Sequence, residues 1–294
     1  MATRNDGFPL LPVYTIGGRE FDFNTRTFLM GVLNVTPDSF SDGGRFLSPE
    51  AAIERGLRMA EEGADILDVG GESTRPRGST YGAGASAVSP DIEMARVVPV
   101  IEALAARTAT PISVDTWKAP VAEAALRAGA VIVNDISGFH FDPALPAVVA
   151  SAGATAILMH TPFPPWEMPD RVSYHDLMEE VQAYLRQGVG AAERAGVRQL
   201  LLDPGLGFGK SLGENYELLR RLGELRALGY PLLVGASRKS FIGKILDLPV
   251  EDRLEGSLAA LAAAVIGGAS VVRVHDVDAS RRAAAVADAV LRGS

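Results

Sequence analysis

The strongest constraint on the fold is an alternation of short, very apolar segments with longer amphipathic ones. The apolar segments are rich in β-branched residues and leucine, which is typical of parallel strands covered on both faces. The segments between them are rich in Ala, Leu, Glu and Arg, and their apolar residues recur with the period of a helix. In chain order, the apolar segments end at Asn34, Gly70, Asp115, Asp135, His160, Asp203, Gly235 and Asp276.

Eight strand–helix units predict an α/β fold of the closed (β/α)8 type, the TIM barrel. An open, doubly wound sheet is the alternative, and it would require one of the eight strands to be wrongly assigned. Ahead of the first unit, residues 13–23 have the pattern of a β-hairpin with Gly17 and Gly18 in its two-residue turn. We expect this N-terminal hairpin to pack across the bottom of the barrel, and we predict a single domain over residues 1–294.

The composition excludes several classes of function. The 294 residues include no cysteine, which excludes disulfides, thiolate metal sites and catalysis by a thiol. The net charge of −8 argues against a nucleic-acid-binding surface, because contacts to phosphates need a basic face. No apolar run reaches the ~20 residues of a membrane helix, and the first residues lack the apolar core of a signal peptide. We therefore expect a cytoplasmic protein without nucleic-acid or membrane partners.

Polar residues at the predicted strand ends form a candidate ligand site. In a barrel the loops that follow the strands build the site, so these side chains converge on one rim. For any single residue a structural ion pair would be an ordinary explanation, but the whole set predicts a polar ligand. Carboxylates and amides such as Asp115, Asn134 and Asp203 suit a heterocycle with several N–H donors. Arg273 and His275, with the Ser-Arg-Lys-Ser segment at 237–240, suit an anion.

A glycine-rich segment at residues 203–211 (Asp-Pro-Gly-Leu-Gly-Phe-Gly-Lys-Ser) invites comparison with nucleotide-binding loops. A P-loop needs a glycine where this chain has Pro204, and the dinucleotide fingerprint needs one where it has Lys210. We expect instead a flexible lid, with Phe208 at a tip that can cover an aromatic ligand.

The sequence gives only weak signs of a metal site. No two of the four histidines have the spacing of a zinc-binding helix. Asn34 could contact Mg²⁺ together with phosphates of a substrate, because Mg²⁺ commonly binds through few protein ligands.

Seven motifs, in order over residues 28–276, resemble those of the dihydropteroate synthase family. The first is residues 30–44 (Met-Gly-Val-Leu-Asn-Val-Thr-Pro-Asp-Ser-Phe-Ser-Asp-Gly-Gly), and the second is residues 71–76 (Gly-Glu-Ser-Thr-Arg-Pro). The others are residues 113–116, 133–136, 203–208, 237–240 and 273–275. The resemblance implies a transferase of folate biosynthesis that uses Mg²⁺. It would join 6-hydroxymethyl-7,8-dihydropterin diphosphate to p-aminobenzoate, giving 7,8-dihydropteroate and diphosphate.

The resemblance also implies which residues bind each substrate. The pterin would be bound by Asp115, Asn134, Asp203 and Lys239. The diphosphate and Mg²⁺ would be held by Arg273, His275 and Asn34. The p-aminobenzoate site would be shaped by Thr74, Arg75, Pro76, Phe40, Phe208 and Ser240.

The resemblance further implies which groups act in the chemical step. Asp42 is our choice for a loop carboxylate that stabilises a cationic pterin, with Asp38 as the alternative. The candidate catalytic residues are Asp42, Lys239, Arg273 and His275.

Two other functions fit part of this pattern. A pterin-binding methyltransferase of the same barrel superfamily would keep the pterin-binding acids but needs no diphosphate site. Arg273, His275 and the Thr-Arg-Pro loop argue against it. An inactive pterin-binding homologue would be expected to lose Lys239 or the acidic first loop, and this chain has both.

The resemblance implies a homodimer built from outer helices late in the barrel. Residues 257–266 are very apolar and carry no charge, which suits a helix buried on more than one side. A helix wedged within the monomer would explain the same composition equally well.

Overall fold

The computed structural model describes residues 8–36, 48–73, 87–168 and 172–293. In them, an antiparallel hairpin of β1 (Tyr14–Ile16) and β2 (Arg19–Phe21) precedes a barrel of parallel strands surrounded by helices. The barrel strands are β3 Phe28–Asn34, β4 Ile66–Gly70, β5 Ile112–Asp115, β6 Ile132–Asp135, β7 Thr155–Met159, β8 Leu200–Asp203, β9 Leu233–Val234 and β10 Val271–Val274. The helices are α1 Pro49–Glu61, α2 Pro90–Arg107, α3 Ala119–Arg127, α4 Leu145–Ser151, α5 Leu177–Ala195, α6 Leu212–Arg220, α7 Leu222–Arg226, α8 Ser240–Leu246, α9 Leu254–Ile266 and α10 Val277–Arg292.

The eight parallel strands close on themselves. They pair in the order β8-β7-β6-β5-β4-β3-β10-β9, and Leu202 of β8 bridges Leu232, which directly precedes β9. This closure confirms the (β/α)8 prediction and shows that the alternative, an open doubly wound sheet, is wrong. β3, β4, β5, β6 and β8 end at the predicted residues, and the other three strands end one or two residues earlier.

The hairpin covers the N-terminal ends of the barrel strands, as predicted. Gly17 and Gly18 have φ values of 56° and 77°, which the two central residues of a type I′ turn require. The hydroxyl of Tyr14 donates to the carbonyl of Leu200 at the start of β8, at 3.1 Å. The ring of Phe21 packs 4.8 Å, centroid to centroid, from that of Phe28 at the start of β3.

Among the described residues, no helix combines the length and the apolar character needed to cross a bilayer. The apolar residues of strands and helices instead form the core of the barrel. The outward faces of the strands and the inward faces of the helices form one continuous buried cluster, and a second cluster fills the barrel beneath the site and extends to the hairpin.

Helix α5 packs very closely on the loop that follows β6. A Cβ atom at Gly188 would overlap with the backbone carbonyl oxygen of Gly138, so only glycine fits without a shift of the backbone. The loop begins directly after Asn134 and Asp135 at the end of β6. The close contact therefore helps to hold the polar end of this strand.

We predict opposite effects on stability for two glycines of α5. Gly188→Ala should lower the free energy of unfolding by about 1–3 kcal/mol, because its methyl group has no space. Gly190→Ala should raise it by about 0.5–1 kcal/mol, because alanine favours a helix over glycine. A Cβ atom at Gly190 would meet only the end of the Arg194 side chain, at 3.3 Å. Urea-induced unfolding of both variants and the parent measures the two effects, and a neutral Gly188→Ala would contradict the packing argument.

Candidate functional site

The described site residues lie on the rim formed by the C-terminal ends of the barrel strands. Strands β3, β5, β6, β8 and β10 contribute Asn34, Asp115, Asn134, Asp203 and Arg273. Lys239 and Ser240 lie where α8 begins, and His275 directly follows β10. Phe208 lies in the turn that follows β8. Six further predicted residues lie outside the described residues: Asp38, Phe40, Asp42, Thr74, Arg75 and Pro76.

Arg273 is the centre of a partly buried ionic network. Its Nε donates to Oδ2 of Asp68 at 2.6 Å, and its Nη2 donates to Oδ2 of Asp115 at 2.7 Å. The side-chain amide of Asn134 donates to the same oxygen of Asp68 at 3.0 Å. With its nitrogen committed to Asp68, Asn134 has its carbonyl oxygen left to accept a hydrogen bond from a ligand. The guanidinium that we expected at the anion side is thus bound to Asp115, which we expected beside the heterocycle, and to Asp68.

Asp68 is a site residue that our reading of the sequence missed. It is fully buried in the middle of β4, and its Oδ1 has no hydrogen-bond partner among the described residues. Ser113 lies opposite Asp68 on β5. Its hydroxyl oxygen is also buried and has no hydrogen-bond partner among the described residues. The signal was a carboxylate inside an otherwise apolar strand, because a buried charge needs a partner or a ligand.

Asp203 and Lys239 are connected through the glycine-rich turn that follows β8. Oδ1 of Asp203 accepts a hydrogen bond from the backbone nitrogen of Gly205 at 2.7 Å. Nζ of Lys239 donates to the carbonyl of Leu206 and lies 4.4 Å from the ring centroid of Phe208. The turn therefore brings together three of the predicted site residues.

Hydrogen bonds hold this turn in place, where the sequence led us to expect a flexible lid. Nζ of Lys210 donates to the carbonyls of Gly205 and Phe208 at 2.9 and 3.0 Å. The side-chain oxygen of Asn215 accepts from the backbone nitrogen of Gly207 at 2.6 Å. Gly207 has a φ of 83°, a conformation that a residue with a side chain rarely adopts. The glycines therefore permit this backbone conformation, and the hydrogen bonds hold it.

Burial moves the pKa values of several site residues toward neutral pH. It raises the pKa of Asp115 to about 7, although Arg273 opposes this shift. It also raises the pKa of Asp203. Burial lowers the pKa of Lys239 to about 8, against the attraction of Asp203. The site therefore combines ionised carboxylates with a charged lysine over a narrow range of pH.

The loops after β9 and β10 bind each other at the predicted anion site. The backbone nitrogen of His275 donates to the hydroxyl oxygen of Ser237 at 3.3 Å, and Nδ1 of His275 lies 3.0 Å from the same oxygen. Arg238 forms a two-point ion pair with Asp276, with distances of 3.0 and 2.7 Å. These contacts hold His275 beside the loop that carries Lys239, where barrels often bind phosphate.

A buried cluster that we did not predict joins the two chain segments on either side of residues 74–86. Nζ of Lys118 donates to Glu72 at 3.0 Å, to Glu93 at 2.6 Å and to the carbonyl of Val88 at 2.6 Å. Glu72 also accepts from the backbone nitrogen of Val88 at 2.7 Å and from the indole of Trp117 at 3.1 Å. The cluster fixes the separation of residues 72 and 88, between which Thr74, Arg75 and Pro76 lie in the sequence.

Comparison with known proteins shows to which family this chain belongs. The model of the family described as pterin binding enzyme matches residues 30–275. Dihydropteroate synthase from Synechocystis sp. is 48% identical to this chain, over 98% of this chain and 98% of the relative. Dihydropteroate synthase from Bacillus subtilis is 44% identical, over 92% of this chain and 90% of the relative.

Solved structures agree with the sequence relatives. Dihydropteroate synthase from Xanthomonas albilineans with 4-aminobenzoic acid is 46% identical, with a TM-score of 0.85 over 95% of this chain and 98% of that one. The Yersinia pestis dihydropteroate synthase with a sulfonamide drug complex is 40% identical, with a TM-score of 0.89 over 96% of this chain and 100% of that one. The chain belongs to the dihydropteroate synthase family of pterin-binding enzymes.

Proposed function

We propose that this chain condenses 6-hydroxymethyl-7,8-dihydropterin diphosphate with p-aminobenzoate, giving 7,8-dihydropteroate and diphosphate. The observation that carries the proposal is the joining of Asp115, Asn134 and Arg273 in one network at the rim, with Asp203 and Lys239 connected through the adjoining turn. Relatives support it, since the enzyme from Xanthomonas albilineans has been solved with 4-aminobenzoic acid and with 7,8-dihydropteroate.

In this proposal the pterin lies among the strand-end acids. Asp115 and Asp203 accept N–H groups of the ring system, and the carbonyl oxygen of Asn134 accepts another. Lys239 donates to the pterin carbonyl. The support is that the amide nitrogen of Asn134 is already bonded to Asp68, while Asp203 uses Oδ1 for Gly205.

The reaction transfers the methylene carbon of the pterin from oxygen to nitrogen. The C–O bond to the diphosphate breaks, and its electron pair leaves with the diphosphate. The amine of p-aminobenzoate forms the new C–N bond and then loses a proton. Arg273, His275 and Lys239 would stabilise the negative charge that develops on the departing group. Asp42, which lies outside the described residues, is our candidate for stabilising positive charge on the pterin.

The p-aminobenzoate ring would lie against the glycine-rich turn. Phe208 offers an aromatic face there, and Lys239 already stands over that ring. Ser240 directly follows Lys239 at the start of α8, and it is proposed to complete the site with Thr74, Arg75 and Pro76.

Mg²⁺ is proposed to bind between Asn34 and the diphosphate of the substrate. Within the described ranges, no three His, Asp or Glu side chains come together as a metal site, so the protein would supply few ligands. An amide oxygen at the end of β3 fits this requirement, because Mg²⁺ readily completes its shell with water and phosphate oxygens. When bound, the ion would neutralise charge on the leaving group.

The proposed reaction predicts release of diphosphate and formation of dihydropteroate when the parent protein meets both substrates. Asp203→Ala should weaken pterin binding by about ten- to a hundredfold, because buried ligand N–H groups lose their acceptor. Calorimetry and product chromatography measure the two effects. Glu102→Ala, which removes an exposed carboxylate from α2, is the control and should match the parent. Unchanged pterin affinity in Asp203→Ala would contradict the assignment, and tight pterin binding without turnover in the parent would favour an inactive homologue.

We predict that affinity for a pterin lacking the diphosphate is greatest between about pH 7 and 8. Below the pKa of Asp115, about 7, the protonated carboxyl no longer accepts ligand N–H groups. Above the pKa of Lys239, about 8, the neutral amine binds the pterin carbonyl less strongly. Calorimetric titration of this pterin into the ligand-free protein, at several pH values across this range, measures the profile.

Two variants test which residue causes the loss of affinity on the acidic side of this profile and which causes it on the alkaline side. Asp115→Asn should move the acidic limb, to which Asp203 also contributes, and Lys239→Arg should move the alkaline limb to higher pH. If neither limb moves, other groups control the binding.

The homodimer is proposed from an exposed apolar groove along α9. Ala259, Ala263 and Ile266 are exposed along one side of the helix and line a groove with Ile245 and Leu246 of α8. The opposite side of α9 is buried in the monomer. A helix with apolar residues on both sides is the arrangement that a second copy of the chain would cover.

Ile266→Glu should convert the dimer to a monomer, because it places a charge in the groove that the partner would bury. Val290→Glu on α10 is the matched control, because Val290 is 70% exposed, against 48% for Ile266, and does not line the groove. Light scattering at micromolar concentration measures the mass. A monomeric parent would contradict the proposed dimer, and an unchanged mass in Ile266→Glu would move the interface elsewhere.

The cytoplasmic location and the organisation of residues 1–294 as one domain remain proposals from the composition and the order of the motifs. Cell fractionation tests the location, and limited proteolysis tests the single domain.

A further inference from the structure

Lys210 is a half-buried cation that the proposed reaction does not use. Its Nζ donates to the carbonyls of Gly205 and Phe208 at 2.9 and 3.0 Å and lies 2.9 Å from Nδ1 of His160. All three partners are neutral acceptors when His160 is neutral. The carboxylate of Asp203 attracts this ammonium, but its hydrogen-bond partners are these neutral acceptors.

A lysine ammonium without a paired carboxylate is expensive to bury. Burial lowers the pKa of Lys210 to about 7, which expresses this cost. Hydrogen bonds to one short turn and the attraction of the Asp203 carboxylate offset this cost, so this side chain contributes to the conformation of that turn.

His160 is itself held as an acceptor for Lys210. It is buried at the end of β7, and burial keeps its pKa well below the ordinary value, so the imidazole stays neutral. The ring of Tyr184 packs edge-on against it, with centroids 4.8 Å apart. The hydroxyl of Tyr184 lies 2.8 Å from the carbonyl of Thr161, which follows His160. A connected set of contacts thus runs from α5 through His160 and Lys210 to the turn.

The turn carries two groups that the proposed reaction needs. The carbonyl of Leu206 accepts from Lys239, and the ring of Phe208 lies beneath the same ammonium at 4.4 Å from its centroid. Lys210 binds the carbonyl of Gly205, which precedes Leu206, and the carbonyl of Phe208 itself. Removing Lys210 would therefore loosen the backbone of Phe208, although Asn215 and Lys239 still hold residues 206 and 207.

We infer that Lys210, supported by His160, is a positioning residue that sets the place of the Phe208 ring and thereby the affinity for the aromatic amine substrate. The inference rests on the proposed function, since it assumes that this ring contacts p-aminobenzoate. Asp115, Asn134 and Asp203 lie on the strands themselves, so pterin binding should depend on Lys210 much less.

The first test replaces Lys210 by methionine, which keeps a long side chain and removes its donors. The KM for p-aminobenzoate should rise about tenfold, as expected for the loss of buried hydrogen bonds. The Kd for the pterin diphosphate should change by less than about threefold, because the strand-end acids are untouched. Lys244→Met on the exposed side of α8 is the matched control and should leave both values unchanged.

The second test reaches the same interaction from its partner and also decides the matter if Lys210→Met does not fold. His160→Leu removes the acceptor and should raise the KM for p-aminobenzoate, whereas His160→Asn keeps an acceptor and should raise it less. In the double variant of Lys210→Met and His160→Leu, the effects should not add, because both act through one bond.

The outcomes separate this inference from the proposed function. If the parent forms no dihydropteroate, the proposed function fails. If the parent is active, the inference is wrong when Lys210→Met keeps its KM for p-aminobenzoate, or when it weakens both substrates equally. Independent, additive effects of the Lys210 and His160 variants would likewise show that each residue has only a general structural role.

Discussion

The site depends on the ionic interaction of Arg273 with Asp68 and Asp115. Two carboxylates on neighbouring strands of a closed barrel would repel each other, and the guanidinium between them makes their burial possible. Because Asp68 also binds the amide of Asn134, the same interaction decides which end of that amide a ligand meets. One arginine from the last strand therefore organises acceptors that come from three other strands.

A second level of organisation comes from lysines that bind backbone carbonyls. Lys239 and Lys210 hold the glycine-rich turn through Leu206, Gly205 and Phe208, and Lys118 joins residues 72 and 88. A carbonyl can be bound in this way only where the backbone adopts one conformation, and the glycines make that conformation accessible. Loops that connect rigid strands can thus place functional side chains as firmly as the strands do.

Burial in the barrel also changes the pKa values of the residues at the site. It brings the pKa of Asp115 up to about 7 and that of Lys239 down to about 8. Burial thereby narrows the range of pH in which this acceptor is ionised and this donor is charged to an interval near neutral pH. The closed barrel provides this environment, because its interior excludes water below the rim.

The sequence by itself determined the barrel, its hairpin, the ends of five strands and the family. Apolar runs that end in Asn, Asp or His mark where a buried strand reaches the rim, and seven ordered motifs are too specific to arise together by chance. The tertiary structure decided which side chains bind each other. Arg273 pairs with Asp68, 205 positions earlier, and Lys210 binds His160, 50 positions earlier. Nothing local in the sequence distinguishes such partners from groups that wait for a ligand, because hydrogen bonds and ion pairs depend on distances that only the closed barrel sets.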